Sequence, residues 1–289
     1  MDPIQHTVNS IAVDFDKIYL GMGNYHILML NEEFSVENTY NISWEIKRVI
    51  ISDAYIYTSS LKEKVTRITK FDGSMVEWDV PFGALGLYQT KDNDIVAGAY
   101  QGLVRVWEQS GRVKFDLVGH DTRIWAISEY GGYILTGDGF RGPNSHLRSW
   151  DKQTGELVNS YEFHNHRINA IQSNEGTVYL AMGSPGELLA FDIEKSKVKW
   201  SYLSGSNISD MIYDMISDEG FVIVDGSDLL RISDDGAETN RVSFEDGILS
   251  LARYRDTYLL GVRNKVIQVD STFNTLRTIQ IDRNLKVMN

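Results

Sequence analysis

The chain has 289 residues, of which 40 are acidic and 28 basic, so its formal net charge is −12. With 42% hydrophobic and 24% charged residues it can bury a core of its own, and the absence of cysteine excludes disulfides, thiolate metal sites and a cysteine nucleophile. An acidic surface repels phosphate, so general nucleic-acid binding is not expected.

Two short strand patterns repeat along the chain and predict its architecture. The first is an alternating apolar run that ends in a bulky residue followed by a polar or acidic one, at Leu30-Asn31, Phe71-Asp72, Trp107-Glu108, Trp150-Asp151, Phe191-Asp192, Ile232-Ser233 and Val269-Asp270. The second pattern is a shorter apolar run that precedes each site of the first pattern and, in most units, ends in a small residue. It occurs at 18–21, 56–59, 95–98, 134–137, 178–181, 221–224 and 258–261. Two landmarks that repeat seven times in the same phase indicate seven units of about 41 residues, since 289/7 is about 41.

The fourth unit shows the content of a unit most clearly. Strands are predicted there over 123–128, 133–136, 147–150 and 157–161, separated by turns that contain Gly131-Gly132 and residues 152–155. No segment has a sustained apolar period of 3.6 residues, which would indicate a helix. The sequence therefore predicts an all-β fold, a single seven-bladed β-propeller domain over 1–289 made of four-stranded antiparallel blades. The expected blades are approximately 8–43, 44–82, 83–122, 123–166, 167–209, 210–246 and 247–283.

Two details of this assignment concern the second and seventh blades. Trp78-Asp79 repeats the first landmark in the wrong phase, because Phe71-Asp72 already fills the third strand of the second blade. Trp78 is therefore expected on the outer strand, with surface packing only. The seventh blade holds four strands of its own between about 247 and 281, so the first residues of the chain either add a strand to it or hang free.

One stretch of the fourth unit carries most of a family resemblance. Its segments are Gly119-His120 and residues 124–127, 134–137 and 147–151. Together they resemble one complete WD-repeat, with fragments at Trp107-Glu108 in the third unit and at His166 with Phe191-Asp192 in the fifth. Residues 190–192 followed by Trp200 are also similar to the quinoprotein-type propeller repeat, although Lys195-Ser196 replaces that family's usual Thr-Gly.

The WD-repeat resemblance implies a buried hydrogen-bonded network. In that family it joins a histidine before the first strand, a serine or threonine in the second, an aspartate in the following turn and the tryptophan of the third. The matching positions in this sequence are His120, Thr136, Asp138 and Trp150. The turn over 137–146 is longer than the family's usual turn, so Asp138 belongs to the network only if that insertion leaves it in place.

A partner-binding face is predicted around the fourth blade. In a propeller the turn between the second and third strands opens on the same face as the connection between blades, which brings 118–123, 137–146 and 163–167 together. Aromatic and arginine side chains typical of interface anchors collect there, and the predicted partner-binding residues are His120, Arg123, Trp125, Phe140, Arg141 and His166. The alternative, in which Trp125 packs between blades and Phe140 folds its loop inward, stays open.

The histidines raise the question of a metal. His164 and His166 would point to the same side of a strand and could hold a metal with a third ligand, or His166 could be the blade-entry histidine equivalent to His120. We favour the second interpretation and expect neither a metal nor a cofactor. Four of the six histidines lie in or beside the fourth blade, so this blade is the place to look for pH sensitivity.

The charge of the chain is unevenly distributed. Residues 210–246 hold 11 acidic and two basic side chains, a net charge of 2 − 11 = −9, whereas residues 247–289 hold seven basic and three acidic ones, a net of +4. The sixth blade is thus expected to present an acidic face, either as a merely solvated surface or as one that attracts a partner with a basic surface.

These observations favour a non-catalytic, monomeric scaffold that binds protein partners through the face centred on the fourth blade. No apolar run approaches the ~18 residues that span a bilayer and no charged-then-apolar leader begins the chain, so we expect a cytoplasmic protein without a membrane partner. The alternative is a ligand-binding or enzymatic propeller, quinoprotein-like or lyase- or hydrolase-like, with its site at the central channel. A third possibility is an assembly factor resembling outer-membrane insertion scaffolds, against which the missing leader counts.

Overall fold

The computed structural model describes residues 7–139, 144–164, 167–174, 176–213 and 220–281, and the backbone alone of 287–288. Throughout these ranges the secondary structure is β, without a helix, and it forms seven antiparallel sheets in which strands follow one another in chain order. This is a seven-bladed propeller, as the repeat predicts. Among the described residues no helix is long and apolar enough to cross a membrane.

The strands of the first four blades are as follows. Blade one contains β1 (Val8–Asp14), β2 (Lys17–Met22), β3 (His26–Leu30) and β4 (Val36–Asn41). Blade two contains β5 (Ile46–Ile51), β6 (Tyr55–Ser60), β7 (Lys64–Thr69) and β8 (Met75–Asp79). Blade three contains β9 (Ala84–Gln89), β10 (Ile95–Ala99), β11 (Val104–Trp107) and β12 (Val113–Leu117). Blade four contains β13 (Ile124–Tyr130), β14 (Tyr133–Asp138), β15 (Asn144–Asp151) and β16 (Leu157–His164).

The remaining blades complete the ring. Blade five contains β17 (Arg167–Asn174), β18 (Thr177–Gly183), β19 (Glu187–Asp192) and β20 (Lys197–Leu203). Blade six contains β21 (Ile208–Tyr213), β22 (Phe221–Asp225), β23 (Asp228–Ile232) and β24 (Glu238–Ser243). Blade seven contains β25 (Ser250–Tyr254), β26 (Thr257–Gly261), β27 (Lys265–Val269), β28 (Thr275–Ile281) and β29 (Val287–Met288), the last paired with β28. Blade six thus begins slightly before the expected boundary at 210.

The core lies between the blades. Second strands such as β22, with the sequence FVIVD, are buried along their whole length because a neighbouring blade covers each face, whereas outer strands such as β16 are largely exposed. The described hydrophobic residues form seven clusters, and each cluster joins two adjacent blades. Stability therefore comes from sheet-on-sheet packing around the ring.

The small residue that ends many second strands marks where the next blade approaches most closely. A Cβ added to Gly98 would lie 2.5 Å from Ile124 Cγ2, and one added to Gly137 would lie 2.5 Å from Ile168 Cγ2. Gly261 meets Val8 of the first blade in the same way. This contact explains why the second landmark repeats with the blades.

The ring closes between blade seven and blade one. Val8 N donates to the carbonyl of Val262 at 3.2 Å, and Ser250 Oγ donates to the carbonyl of Val8 at 3.1 Å. The additional strand of blade seven is β29, from the end of the chain. Residues 1–6, which the sequence assigned either to this blade or to a free segment, lie outside the described residues.

Two expectations for blade two are wrong. Ile68, rather than Phe71, occupies the third-strand landmark, because it pairs with Ile56 just as Trp150 pairs with Ile134. Phe71 follows β7 in a turn and is 97% exposed. Trp78 does lie on the outer strand β8, but it is only 6% exposed, since Trp107 of the neighbouring blade packs against it with 5.7 Å between ring centroids.

Candidate functional site

The four residues of the expected network meet inside blade four. Trp150 Nε1 donates to Thr136 Oγ1 at 2.7 Å, and the same hydroxyl lies 2.6 Å from His120 Nε2. His120 Nδ1 lies 2.7 Å from Asp138 Oδ2, and Asp138 Oδ1 accepts the backbone N–H of His146 at 2.5 Å. The four side chains thus form one continuous chain of hydrogen bonds, with Asp138 in place despite the long turn.

Chemistry fixes the direction of each bond in this network. A carboxylate only accepts, so His120 carries its proton on Nδ1 and donates it to Asp138. Thr136 Oγ1 accepts the N–H of Trp150, so the Thr136 hydroxyl can donate its own hydrogen to His120 Nε2. In a neutral imidazole that is protonated on Nδ1, Nε2 is an acceptor. Burial lowers the pKa of His120, against the opposing influence of Asp138, which agrees with a neutral ring. All hydrogen bonds of the network are therefore formed with a neutral imidazole, which carries no net charge.

The burial of this network corrects part of the predicted partner-binding set. The His120 side chain is fully enclosed, with 0% of it exposed, so it cannot touch a partner as the sequence suggested. Arg123 and Trp125 are half-buried at the blade surface. Phe140, Arg141 and His166 lie outside the described residues.

Arg123 and Trp125 are each held by a neighbouring group. The Arg123 guanidinium lies over the Tyr100 ring, 3.6 Å from its centroid. Trp125 Nε1 donates to the carbonyl of Gly139 at 3.0 Å, which orients the indole at the start of β13. The guanidinium of Arg167 lies over the Trp125 ring, 4.9 Å from its centroid. Two arginine–aromatic stacks therefore lie close to blade four.

The innermost strands of the blades build a second feature, the mouth of the central channel. The register shifts near the start of six of the described innermost strands, and each shift leaves one extra residue, a β-bulge. The six extra residues are Asn9, Lys47, Leu85, Trp125, Asn169 and Ser209. All of them line one cavity of about 310 Å³, together with Arg48, Arg167 and Leu249. The bulges thus turn one residue of each blade toward the channel mouth.

Asparagine side chains in two of these bulges tie neighbouring blades together. Asn9 Nδ2 donates to the carbonyl of Ile46 at 2.9 Å, and Asn169 Nδ2 donates to that of Ile208 at 2.6 Å. Both acceptors are the first residue of the next innermost strand, so the two bonds are equivalent. They fix the positions of neighbouring blades relative to each other at the mouth.

The charges at the mouth come from blades two, five and six. Lys47 pairs with Glu45 at 2.6 Å, and Arg48 faces Asp210 at 3.6 Å. Burial raises the pKa of Asp210, partly offset by Arg48. Among the described residues Arg167 has no carboxylate partner, so the mouth carries one positive charge more than it neutralises.

Sequence reasoning missed this constellation. Titratable groups from several blades converge at the channel, whereas the sequence pointed only to histidines on one blade. A usable signal was present: the lining residue follows a buried apolar residue at or next to the start of its innermost strand, such as Val8, Ile46, Ile124 or Ile208. Aligning the units on that residue places the cavity-lining positions in register.

Part of the negative charge of blade six is neutralised within the protein. Arg241 pairs with Asp228 at 2.8 Å, and Lys265 pairs with Asp246 at 2.7 Å. Among the described residues of this blade, the exposed carboxylates without an ion pair are Asp234, Asp235 and Glu245, whereas Asp214, Asp218 and Glu219 lie outside the described residues. Within the described part, the acidic face is therefore narrower than the count of acidic residues indicates. No group of three or more possible metal ligands occurs within the part of the chain that the structure describes.

Comparison with solved structures agrees with this fold. The chain is similar to the WD40 β-propeller domain of Doa1, with a TM-score of 0.78 and 11% sequence identity, over 93% of each chain. It is also similar to the computationally designed protein Ika8, with a TM-score of 0.65 and 14% identity, over 91% of this chain and 95% of that one. At these identities the likeness shows the fold alone, a β-propeller. It lends no support to the quinoprotein-type resemblance.

A scan of protein-family models and a search of curated proteins found no match to the chain. Function therefore has to be argued from the surfaces described above.

Proposed function

We propose that this chain is a non-catalytic, monomeric scaffold that captures a protein partner in the cytoplasm through the face around blade four. The observation that carries the proposal is the pair of arginine–aromatic stacks there, Arg123 on Tyr100 and Arg167 on Trp125. Arginine and large aromatic side chains, held in place before binding, are the residues that most often dominate the energy of protein interfaces. Phe140, Arg141 and His166 complete the proposed surface on sequence grounds alone.

The enclosed histidine supports a scaffold rather than an enzyme. His120 and Asp138 are the pair in this blade best suited to acid–base chemistry, and neither side chain is exposed. Both ring nitrogens of His120 are already engaged by Asp138 and Thr136. A group that meets no solvent and has no free lone pair cannot act on a substrate, so this pair serves the fold.

We further propose that the partner presents a basic surface toward blade six. Asp234 and Asp235 are exposed at the turn between β23 and β24, and Glu245 is exposed just after β24. Complementary fields would mainly speed the encounter and would weaken as salt screens them.

Capture of co-purifying proteins from cells that produce this chain tests the proposal. Arg123→Gln removes a guanidinium from the proposed face. The control, Arg277→Gln, removes a guanidinium from β28 of blade seven, where it lies 5.0 Å from the centroid of the Phe34 ring. We expect Arg123→Gln to reduce capture of a specific protein at least tenfold with an unchanged melting temperature, and Arg277→Gln to leave capture intact.

Three results would each count against one part of this proposal. Equal capture by both variants would remove blade four from the interface. A lower melting temperature for Arg123→Gln would assign that residue to stability instead. If capture is the same at low and high salt, the acidic residues of blade six do not attract the partner.

A further inference from the structure

We infer that the mouth of the channel binds a small oxyanion, a carboxylate or phosphate, through Arg167, Lys47 and Ser209. The inference does not depend on the proposed scaffold function, because it concerns a cavity that a small ligand can fill alone. Its volume of about 310 Å³ falls at the lower end of the range of roughly 300–1,000 Å³ that is common for small-molecule sites.

Arg167 is the main anchor because it is positioned but not neutralised. Its Nε donates to Asn169 Oδ1 at 2.5 Å, and its guanidinium rests on the Trp125 ring. Nη2 makes only a long contact, 3.4 Å, to Asn207 Oδ1. Within the described ranges no carboxylate reaches this guanidinium, so its outer edge is available for the two parallel hydrogen bonds that a carboxylate or phosphate accepts.

The burial of Arg167 makes an anion energetically favourable there. The residue is half-buried, and loss of hydration lowers its pKa without any opposing contribution from an acid. Placing a charge in a partly dry site costs free energy unless a counter-charge is supplied. A bound oxyanion would supply it.

Ser209 provides an independent observation. Ser209 lines the cavity, and its buried Oγ has no hydrogen-bond partner among the described residues. Buried hydroxyls are nearly always hydrogen-bonded, so this hydroxyl is available as a donor to a ligand in the cavity. An oxyanion held by Arg167 would accept from this hydroxyl, and Lys47, although paired with Glu45, would donate a further hydrogen bond at the rim.

The location also distinguishes this cavity from the rest of the surface. The whole chain carries −12, which disfavours anions in general, so a mouth with an unneutralised guanidinium is a local exception. A larger groove of about 560 Å³ lies where blade seven meets blade one. Its two arginines, Arg255 and Arg277, are matched by two acidic residues of its lining, Glu32 and Glu33, and Arg255 is already paired with Glu32 at 2.7 Å. The channel mouth is therefore the better anion site.

Calorimetric titration of the full chain at low ionic strength tests the inference, with citrate in one arm and inorganic phosphate in the other. We expect at least one of them to bind the wild-type protein and to raise its melting temperature. Arg167→Gln should weaken binding tenfold or more, and Arg277→Gln, which removes the same charge far from the channel, should not. Binding of citrate alone would identify the ligand as a carboxylate, and binding of phosphate alone would identify it as a phosphate.

Two further variants guard against loss of packing on Trp125. Lys47→Gln alters only the rim and should weaken binding several-fold, and Ser209→Ala should do the same by removing the unpaired hydroxyl. The inference is overturned if neither anion binds the wild type. It is equally overturned if Arg167→Gln and Arg277→Gln weaken binding alike, or if a correctly folded Lys47→Gln and Ser209→Ala both bind as the wild type does.

Discussion

Arg48 and Asp210 face each other across the central channel, with 3.6 Å between Nη1 and Oδ2. They come from blades two and six, which are not adjacent in the ring. Asp210 also accepts the backbone N–H of Leu251 at 3.3 Å and its carboxylate lies 3.0 Å from Met211 N. The Asp210 carboxylate thus forms an ion pair with blade two and accepts a backbone hydrogen bond from blade seven.

This pair predicts a specific pH dependence. Burial raises the pKa of Asp210 above its usual value of 3.8, so the folded protein holds this proton more firmly than the unfolded chain does. The contribution of Asp210 to stability is therefore lost as pH rises from about 4 through the folded-state pKa. Asp210→Asn lacks this titration, so its stability deficit relative to the wild type should shrink between pH 4 and pH 7, as measured by urea unfolding. A deficit that grows with pH would show that attraction to Arg48 outweighs burial.

The hydroxyl of Thr136 should contribute strongly to stability. Thr136→Val leaves the Trp150 N–H and His120 Nε2 without a partner, and each unpaired buried group costs about 1–3 kcal/mol. Thr58 occupies the same ladder position in blade two, is equally buried and makes only one long contact, of 3.5 Å. Thr58→Val should therefore change the free energy of unfolding by less than about 1 kcal/mol. Equal effects of the two substitutions in urea unfolding would contradict a network role.

His120 should make the protein less stable in mild acid. Burial lowers its folded-state pKa below 6.5, so the unfolded chain takes up a proton that the folded protein resists. The stability associated with the neutral ring is fully present above about pH 6.5 and declines as pH falls below it. Unfolding by urea at a series of pH values from 8 to 5 should show this decline for the wild type and a flatter profile for His120→Gln. An equally steep decline for His120→Gln would contradict the assignment.

Close approach of the blades predicts the cost of single methyl groups. The Cβ of Gly98→Ala would lie 2.5 Å from Ile124 Cγ2 and 2.6 Å from Ile124 Cβ, so blades three and four must separate locally. Overpacking of this kind typically costs about 1–3 kcal/mol. Gly132→Ala, at a turn where nothing lies within 4 Å, should be neutral within about 0.5 kcal/mol. Thermal unfolding compares the two, and similar melting temperatures would argue against tight packing at Gly98.

The repeat made the fold predictable from the sequence, because both landmarks are local. Each blade is one uninterrupted segment, and its strands pair with their neighbours in the chain, so turn residues and alternation suffice to locate them. The error at Phe71 has a physical reason. Hydrophobicity alone does not report exposure, and this ring projects from a turn while the less conspicuous Ile68 fills the buried position.

Contacts between blades were harder to foresee. Trp78 is covered by Trp107, a residue of the next blade, and nothing within its own strand reveals that cover. The channel mouth was missed for a related reason. A β-bulge shifts alternation by one residue, so Asn169 and Ser209 face the channel although a regular strand would point them elsewhere.

The way the ring closes bears on how the chain folds. Pairing within a blade joins strands that are neighbours in the chain, so a blade can form soon after its residues leave the ribosome. The bond between Ser250 and Val8, by contrast, joins residues 242 positions apart. Blade one must wait with one face uncovered until blade seven has been synthesised. During that interval the apolar side chains of β1 and β2 are the surface most in need of protection from aggregation.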